Sequence, residues 1–154
     1  MHVGIYFRKL AMRVNDLWMY IIRELSVGDI SWHVDCLDCL GYEEKYGMEN
    51  NRHYSVEKLL SCLEPDLPIF FARMMAIPGG AFPDRNIDTY EDYRESNCQS
   101  VVLCVDGGHF EIYSKDEALL NKLAQYPADL GIEYAEWIDE SEEGTVDRTS
   151  FIVA

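Results

Sequence analysis

No run of eighteen apolar residues occurs in the chain, so no segment has the length and composition of a membrane-spanning helix. A secretion signal is also missing. In MHVGIYFRKLAM the basic pair Arg8 and Lys9 follows the first apolar stretch, and no apolar core with a small-residue cleavage site comes after it. A disulfide framework is absent too. The five cysteines, at 36, 39, 62, 98 and 104, are odd in number and irregular in spacing. They read as free thiols used as small apolar residues in a reducing compartment, and the expected location is the cytoplasm. Basic residues are scarce: 13 Lys plus Arg stand against 28 Asp plus Glu, for a net charge of −15. Such a surface repels phosphate backbones and anionic lipid, which argues against nucleic-acid and membrane binding. It suits a basic protein partner, and it suits plain solubility at least as well.

The sets of residues that mark familiar chemistries are missing as well. Gly79-Gly80 is not followed by the G-K-[ST] of a phosphate loop, and no G-x-S-x-G, H-E-x-x-H or kinase set occurs. IDESEEG, Ile138 to Gly144, clusters Asp139, Glu140, Glu142 and Glu143 but lacks the D-x-D-x-D-G order of a calcium loop. No metal or cofactor is therefore expected. Catalysis is left open, with a non-enzymatic role preferred.

What is present reads as a folded domain. The 154 residues fit a single domain, 1–154, with the stretch 41–54 as the one place where an internal division could fall. His2 to Arg8 alternates as a strand. Leu10, Val14, Leu17, Trp18, Ile21, Ile22 and Leu25 recur at three- and four-residue spacing, which predicts a helix over 10–25. A second strand is expected from Ile30 to about Leu40, and GMENNRHY as a loop. Ser55 can cap a short helix carrying Val56, Leu59, Leu60 and Leu63. IFFARMMAI, Ile69 to Ile77, suits a strand buried on both faces. A helix starts at Asp88 or Thr89. QSVVLCVD and HFEIYS form a hairpin across a two-residue Gly107-Gly108 turn. Ser114 and Glu117 match a capping box before a helix bearing Leu119, Leu120, Leu123 and Ala124. IEYAEWI is a strand, and TSFIVA is offered as a last one. The order is roughly βαβ, αβα, ββαββ: an α+β fold with a mixed, largely antiparallel sheet and helices packed on it.

The stretch IDTYEDYRESNCQSVVLCVDGGHFEIYSKDEALLNKL, Ile87 to Leu123, resembles the central part of a family of short, acidic, bacillus-type proteins of unknown function, domain of unknown function 2691. The matching features are the TYEDY helix start, an N-C before a hydrophobic strand, a strand ending in V-D, and YSKD entering a helix. The likeness extends over most of the chain, more loosely before Asp66. It implies the fold above and a bacterial cytoplasmic origin, and it assigns no residue a role.

Three clusters are candidates for chemistry. Cys36 and Cys39 form a C-x-x-C behind His33. A shared zinc needs both sulfurs about 2.3 Å from one ion. In a strand, residues three apart point to opposite faces and lie about 10 Å apart. A redox pair would want the motif at a helix start. The plainer expectation is that Cys36 shares the core face with Trp32 and Val34, and that the thiols lie too far apart to share a ligand. His109, Glu111 and Tyr113 line one face of the hairpin, as acid–base equipment or, in the preferred reading, as a solvent-facing polar side. Arg73 sits among apolar neighbours, where it can pair with a carboxylate or line a pocket for an anionic ligand. The loop Pro78 to Asn86, which carries Arg85, has the length of a binding loop.

Two functions follow. The preferred one is a non-enzymatic domain that binds another protein through its acidic, tyrosine-containing surface, inhibitor- or immunity-like in its sharpest form. The alternative is a small-ligand binder or modest enzyme using the 78–86 loop with Arg73, Arg85, His109, Glu111 and Tyr113. The oligomeric state is left open.

Overall fold

A computed structural model describes residues 1–9, 14–65, 67–140 and 150–153. The elements run β1 (His2–Lys9), α1 (Val14–Leu25), β2 (Ile30–Asp38), β3 (Arg52–Ser55), α2 (Val56–Leu63), β4 (Phe71–Pro78), α3 (Tyr90–Glu95), β5 (Ser100–Val105), β6 (His109–Ser114), α4 (Glu117–Leu123) and β7 (Ile132–Asp139). Short 3-10 turns cover Glu44–Tyr46 and Ala128–Leu130. The strands make one seven-stranded sheet in the order β3-β2-β4-β5-β6-β1-β7. The fold is α+β. Every strand pairing among the described residues is antiparallel, so the sheet has no mixed portion there. No helix among those residues is long and apolar enough to cross a membrane.

The sheet separates two cores. On the first face, α1, α2 and α4 pack over Phe7, Trp32, Val34, Met74, Phe110 and Ile112. The three- and four-residue spacing puts Leu17, Trp18, Ile21, Ile22 and Leu25 inside this layer, with Trp18 edge-on to Phe110 at 5.2 Å. Each such side chain contributes about 1.5–3 kcal/mol by leaving water. On the second face, α3 and the segment 151–153 cover β4, β5 and β6. Here Tyr90, Tyr93, Tyr113 and Phe151 form an aromatic cluster with Met75, Ile77, Val101 and Leu103. β4 is buried on both sides from Ala72 to Ile77, as its apolar run predicts.

The helix starts follow local chemistry. Ser55 accepts from the Lys58 amide, and Thr89 with Asp92 makes a full capping box. At α4 the expected box is not made. Asp116 caps it by accepting from Ala118, while the Ser114 hydroxyl is buried in the sheet, where it bonds Ser100 Oγ at 2.9 Å.

Four other expectations are corrected. Arg52–Ser55 is a strand rather than the end of a loop; its register on β2 (Trp32 to Tyr54, His33 to His53) follows from Tyr54 burying in the first core. The β5–β6 connection has three residues, because Val105 pairs with His109 and left-handed Asp106 opens the turn. The segment after 149 is no strand: Ser150 makes an isolated bridge to Thr89, and Phe151 and Val153 plug the second core. The strand at 30–40 loses its alternation at Cys36. That residue has φ 51°, and four residues of β2, Asp35 to Asp38, run against three of β4, Arg73 to Phe71. This is a β-bulge. It throws Cys36 toward the second core and returns Leu37 and Cys39 to the first. The helix start at Leu10, the acidic residues Glu142 and Glu143, and Gly144 lie outside the described residues.

Candidate functional site

The bulge and the short strand β3 shape one corner of the second face. His33 on β2 stands opposite His53 on β3 and Met75 on β4, and Asp35 stands opposite Arg73. The loop 79–89 folds back over this corner. Its ends are tied: the Gly79 amide donates to Asp29 O at 2.8 Å, and Asn97 holds Phe82 O and the Asp84 amide at 2.9 and 3.1 Å. The result is a cleft of about 420 Å³. Its walls include His33, Asp35, Asn51, Arg73, Phe82 and Arg85.

Arg73 is 7% exposed and already satisfied on several sides. Its Nε and Nη2 donate to the two Asp35 oxygens at 2.7 and 2.6 Å, and Nη1 donates to Ile87 O and Phe151 O. A buried cation needs such a fork. Arg73 therefore clasps the loop and the segment at 151 to the sheet, besides lining the cleft. Arg85 is exposed at the rim and pairs with Glu95 at 3.0 Å.

The two histidines were not anticipated together. His33 is 9% exposed, and its Nδ1 is buried with no hydrogen-bond partner; His53 Nδ1 is in the same condition. His53 Nε2 lies 3.2 Å from Ser31 Oγ. Burial holds His33 below the ordinary imidazole pKa, against the opposing pull of Asp35, so the ring stays neutral. The two rings are 5.7 Å apart, and Phe82 lies 4.3 Å from His53 and 6.1 Å from His33. Phe82 is 63% exposed, which leaves most of its surface free for a ligand. No signal in the sequence linked His33 with His53, because the pairing exists only through the register of β2 on β3.

The hairpin triplet lies elsewhere and does not line the cleft. Tyr113 is buried among Tyr90 and Phe151, so the expected solvent face is half core. Its neighbours α3 and Phe151 cover it. His109 is exposed and meets the Tyr6 hydroxyl at 2.5 Å. Glu111 is half-buried between them, and burial raises its carboxyl pKa. Of the five candidate residues, the fold brings Arg73 and Arg85 to one site and leaves His109, Glu111 and Tyr113 apart from it.

Cys36 and Cys39 point to opposite faces, one packed on the second core and one inside the first. Their separation is as expected, although Cys36 does not share the Trp32–Val34 face. Burial pushes the Cys39 thiol up to about 12, the reverse of an activated redox cysteine. Among the described residues, no group of three or more His, Cys, Asp or Glu is placed to hold a metal ion. Two further hollows, one beside Glu43 and Glu49 and one beside Tyr20 and Arg23, are lined by no buried side-chain nitrogen or oxygen that lacks a partner.

The family model described as "Protein of unknown function (DUF2691)" matches residues 2–149, so the chain belongs to this family. Among curated proteins, "Uncharacterized protein YncE" of Bacillus subtilis (strain 168) is 32% identical over 53 residues. That match spans 34% of this chain and 34% of the relative. No solved structure matches.

Proposed function

We propose that this member of the family binds a small molecule in the cleft between β2, β3 and the 79–89 loop. The observation that carries the reading is His33: a neutral imidazole in the wall of the cleft, more than nine-tenths buried, whose Nδ1 has no partner. Buried polar atoms are rarely left unpaired, and a ligand supplies what the protein does not. One strand away, the Nδ1 of half-buried His53 is also without a partner. The test is an amide-shift screen of a small polar fragment library by NMR. Binding fragments should perturb the amides around His33, His53 and Phe82. His33→Leu should abolish the response, and His109→Ala with Glu111→Ala should leave it intact. Responses confined to other regions, or unaltered by His33→Leu, overturn the proposal.

A second reading keeps a protein partner. The net charge of −15 and the row Glu111–Tyr6–Glu136 across β6, β1 and β7, with Tyr134 45% exposed, suit a basic surface. A pull-down at low salt that returns no basic protein, or one whose retention ignores salt, counts against it.

A further inference from the structure

From the chemistry left over in the cleft we infer its ligand class: an uncharged planar heterocycle with hydrogen-bonding groups on its edge, of the pyrimidine or purine kind. This rests on the reading of the cleft as a ligand site. The charges in the wall are two carboxylates, Asp35 and Asp84, against two guanidinium groups, Arg73 and Arg85. They cancel, and all four are engaged. Arg73 forks onto Asp35, Arg85 holds Glu95, and the Asp84 carboxylate accepts the Asn97 amide at 3.2 Å. No charge remains to recruit an ion, and a chain of net charge −15 disfavours an incoming anion further.

What remains unspent is flat or neutral. The ring of Phe82 offers a stacking face, and the Nδ1 of His33 in the wall offers a hydrogen-bonding position; His53, outside the lining but with its ring 5.7 Å from His33 and 4.3 Å from Phe82, offers a second. A neutral imidazole nitrogen either donates or accepts, according to tautomer. A heterocycle edge, which carries both donors and acceptors, can satisfy either arrangement. Both nitrogens are closed off in the present arrangement, with Phe82 packed beside them. The backbone at Phe82 is tied to Asn97, and the opening the ligand calls for is rotation of the exposed Phe82 side chain. The ligand then lies between the ring of Phe82 and the edges of the two histidines. The cleft volume of about 420 Å³ falls within the size range of small-molecule sites.

The experiment uses the full chain with 15N-labelled histidine and four probes: uracil, adenine, inorganic phosphate and ethylamine. Uracil or adenine should shift the ring nitrogens of both His33 and His53. Phe82→Ala, at an exposed position, should weaken that binding by about tenfold, the worth of one ring-on-base stack. Phosphate or ethylamine shifting the rings while both heterocycles fail overturns the ligand class and leaves the cleft reading standing. Silence from all four probes overturns the class, and the fragment screen then decides the cleft on its own. Heterocycle binding of unchanged strength in Phe82→Ala overturns the stacked seat.

Discussion

Replacing Asp35 with Ala strands a cation. Arg73 is 7% exposed, and its Nε and Nη2 bonds, 2.7 and 2.6 Å, both go to Asp35. After the change, Nη1 keeps Ile87 O and Phe151 O, but the Nε and Nη2 bonds to the carboxylate are lost. Breaking a buried pair from one side costs about 3–5 kcal/mol, because the orphan charge stays desolvated. For a chain of this length each kcal/mol lowers Tm by about 2–4 °C, so Asp35→Ala should fall by roughly 6–20 °C. Arg73→Met removes the charge but also frees the two carbonyls. It should therefore speed hydrogen exchange at the Phe151 amide, which donates to Asp88 O at 2.8 Å beside the lost clasp. The double variant Asp35→Ala/Arg73→Met has no orphan ion and should be far less destabilised than the sum of the single changes, with a coupling of about 2 kcal/mol or more. Urea unfolding at neutral pH measures all three. A cost below about 1 kcal/mol for Asp35→Ala, or strict additivity, refutes the view of the pair as a buried clasp.

Other outcomes follow from the same geometry. Glu111 has its carboxyl pKa raised by burial, so the native state holds the proton more readily than the unfolded chain. The stability it contributes is complete below the ordinary carboxylate pKa and is lost as pH rises through the native value. Glu111→Gln should raise Tm at pH 7 and leave it nearly unchanged at pH 4; equal gains at both would refute the burial cause. Native thiol titration with a disulfide reagent should find Cys36 first, since the other four cysteines are buried. Cys36→Gly should be neutral or stabilising and Cys36→Val clearly destabilising, because φ is 51° there and a β-branched residue resists that region; Tm values in the opposite order would remove the bulge argument. Gly108→Ala should cost about 1–3 kcal/mol, since an added Cβ meets Lys9 O at 2.6 Å; urea midpoints matching the native chain would refute it.

Local rules recovered much of this molecule. The apolar spacing of Leu17 to Leu25 marks α1, the Ser55 and Thr89 caps mark α2 and α3, and the alternation around Gly107-Gly108 marks a hairpin. Where two local signals competed, tertiary bonding decided. Ser114 reads as a cap until its hydroxyl is needed to satisfy buried Ser100. β3 is too short and polar to carry a strand signal, and it exists because β2 offers it an edge. Part of the site was legible: Arg73 among apolar residues implies a carboxylate partner, and the proline-bounded loop with Arg85 implies a rim. The histidines were not, because their meeting depends on a register between strands that no local pattern encodes.

The bulge at Cys36 ties these threads together. A regular β2 would place Trp32, Val34 and Cys36 on the helix side and leave Leu37 and Cys39 on the other. The extra residue reverses the phase, so Leu37 and Cys39 enter the first core while Asp35 and Cys36 both serve the second face. On the β3 side the ladder ends at Val34, and a side chain bonds the strand beyond it: Asn50 accepts from the Leu37 amide at 2.6 Å and donates to Leu37 O at 3.1 Å. The strand that looked like a cysteine motif thus owes its two thiols to two different cores. It stores a left-handed residue beside the cleft, next to the carboxylate that fixes Arg73. Bulges re-aim side chains near functional sites; this one begins just past Asp35, which stays in register with Arg73 one pleat along from the His33–His53 pair, and turns Cys36 to the same face. The C-x-x-C spacing is a by-product of that re-aiming, and the chemistry of the strand resides in the alternating residues His33 and Asp35.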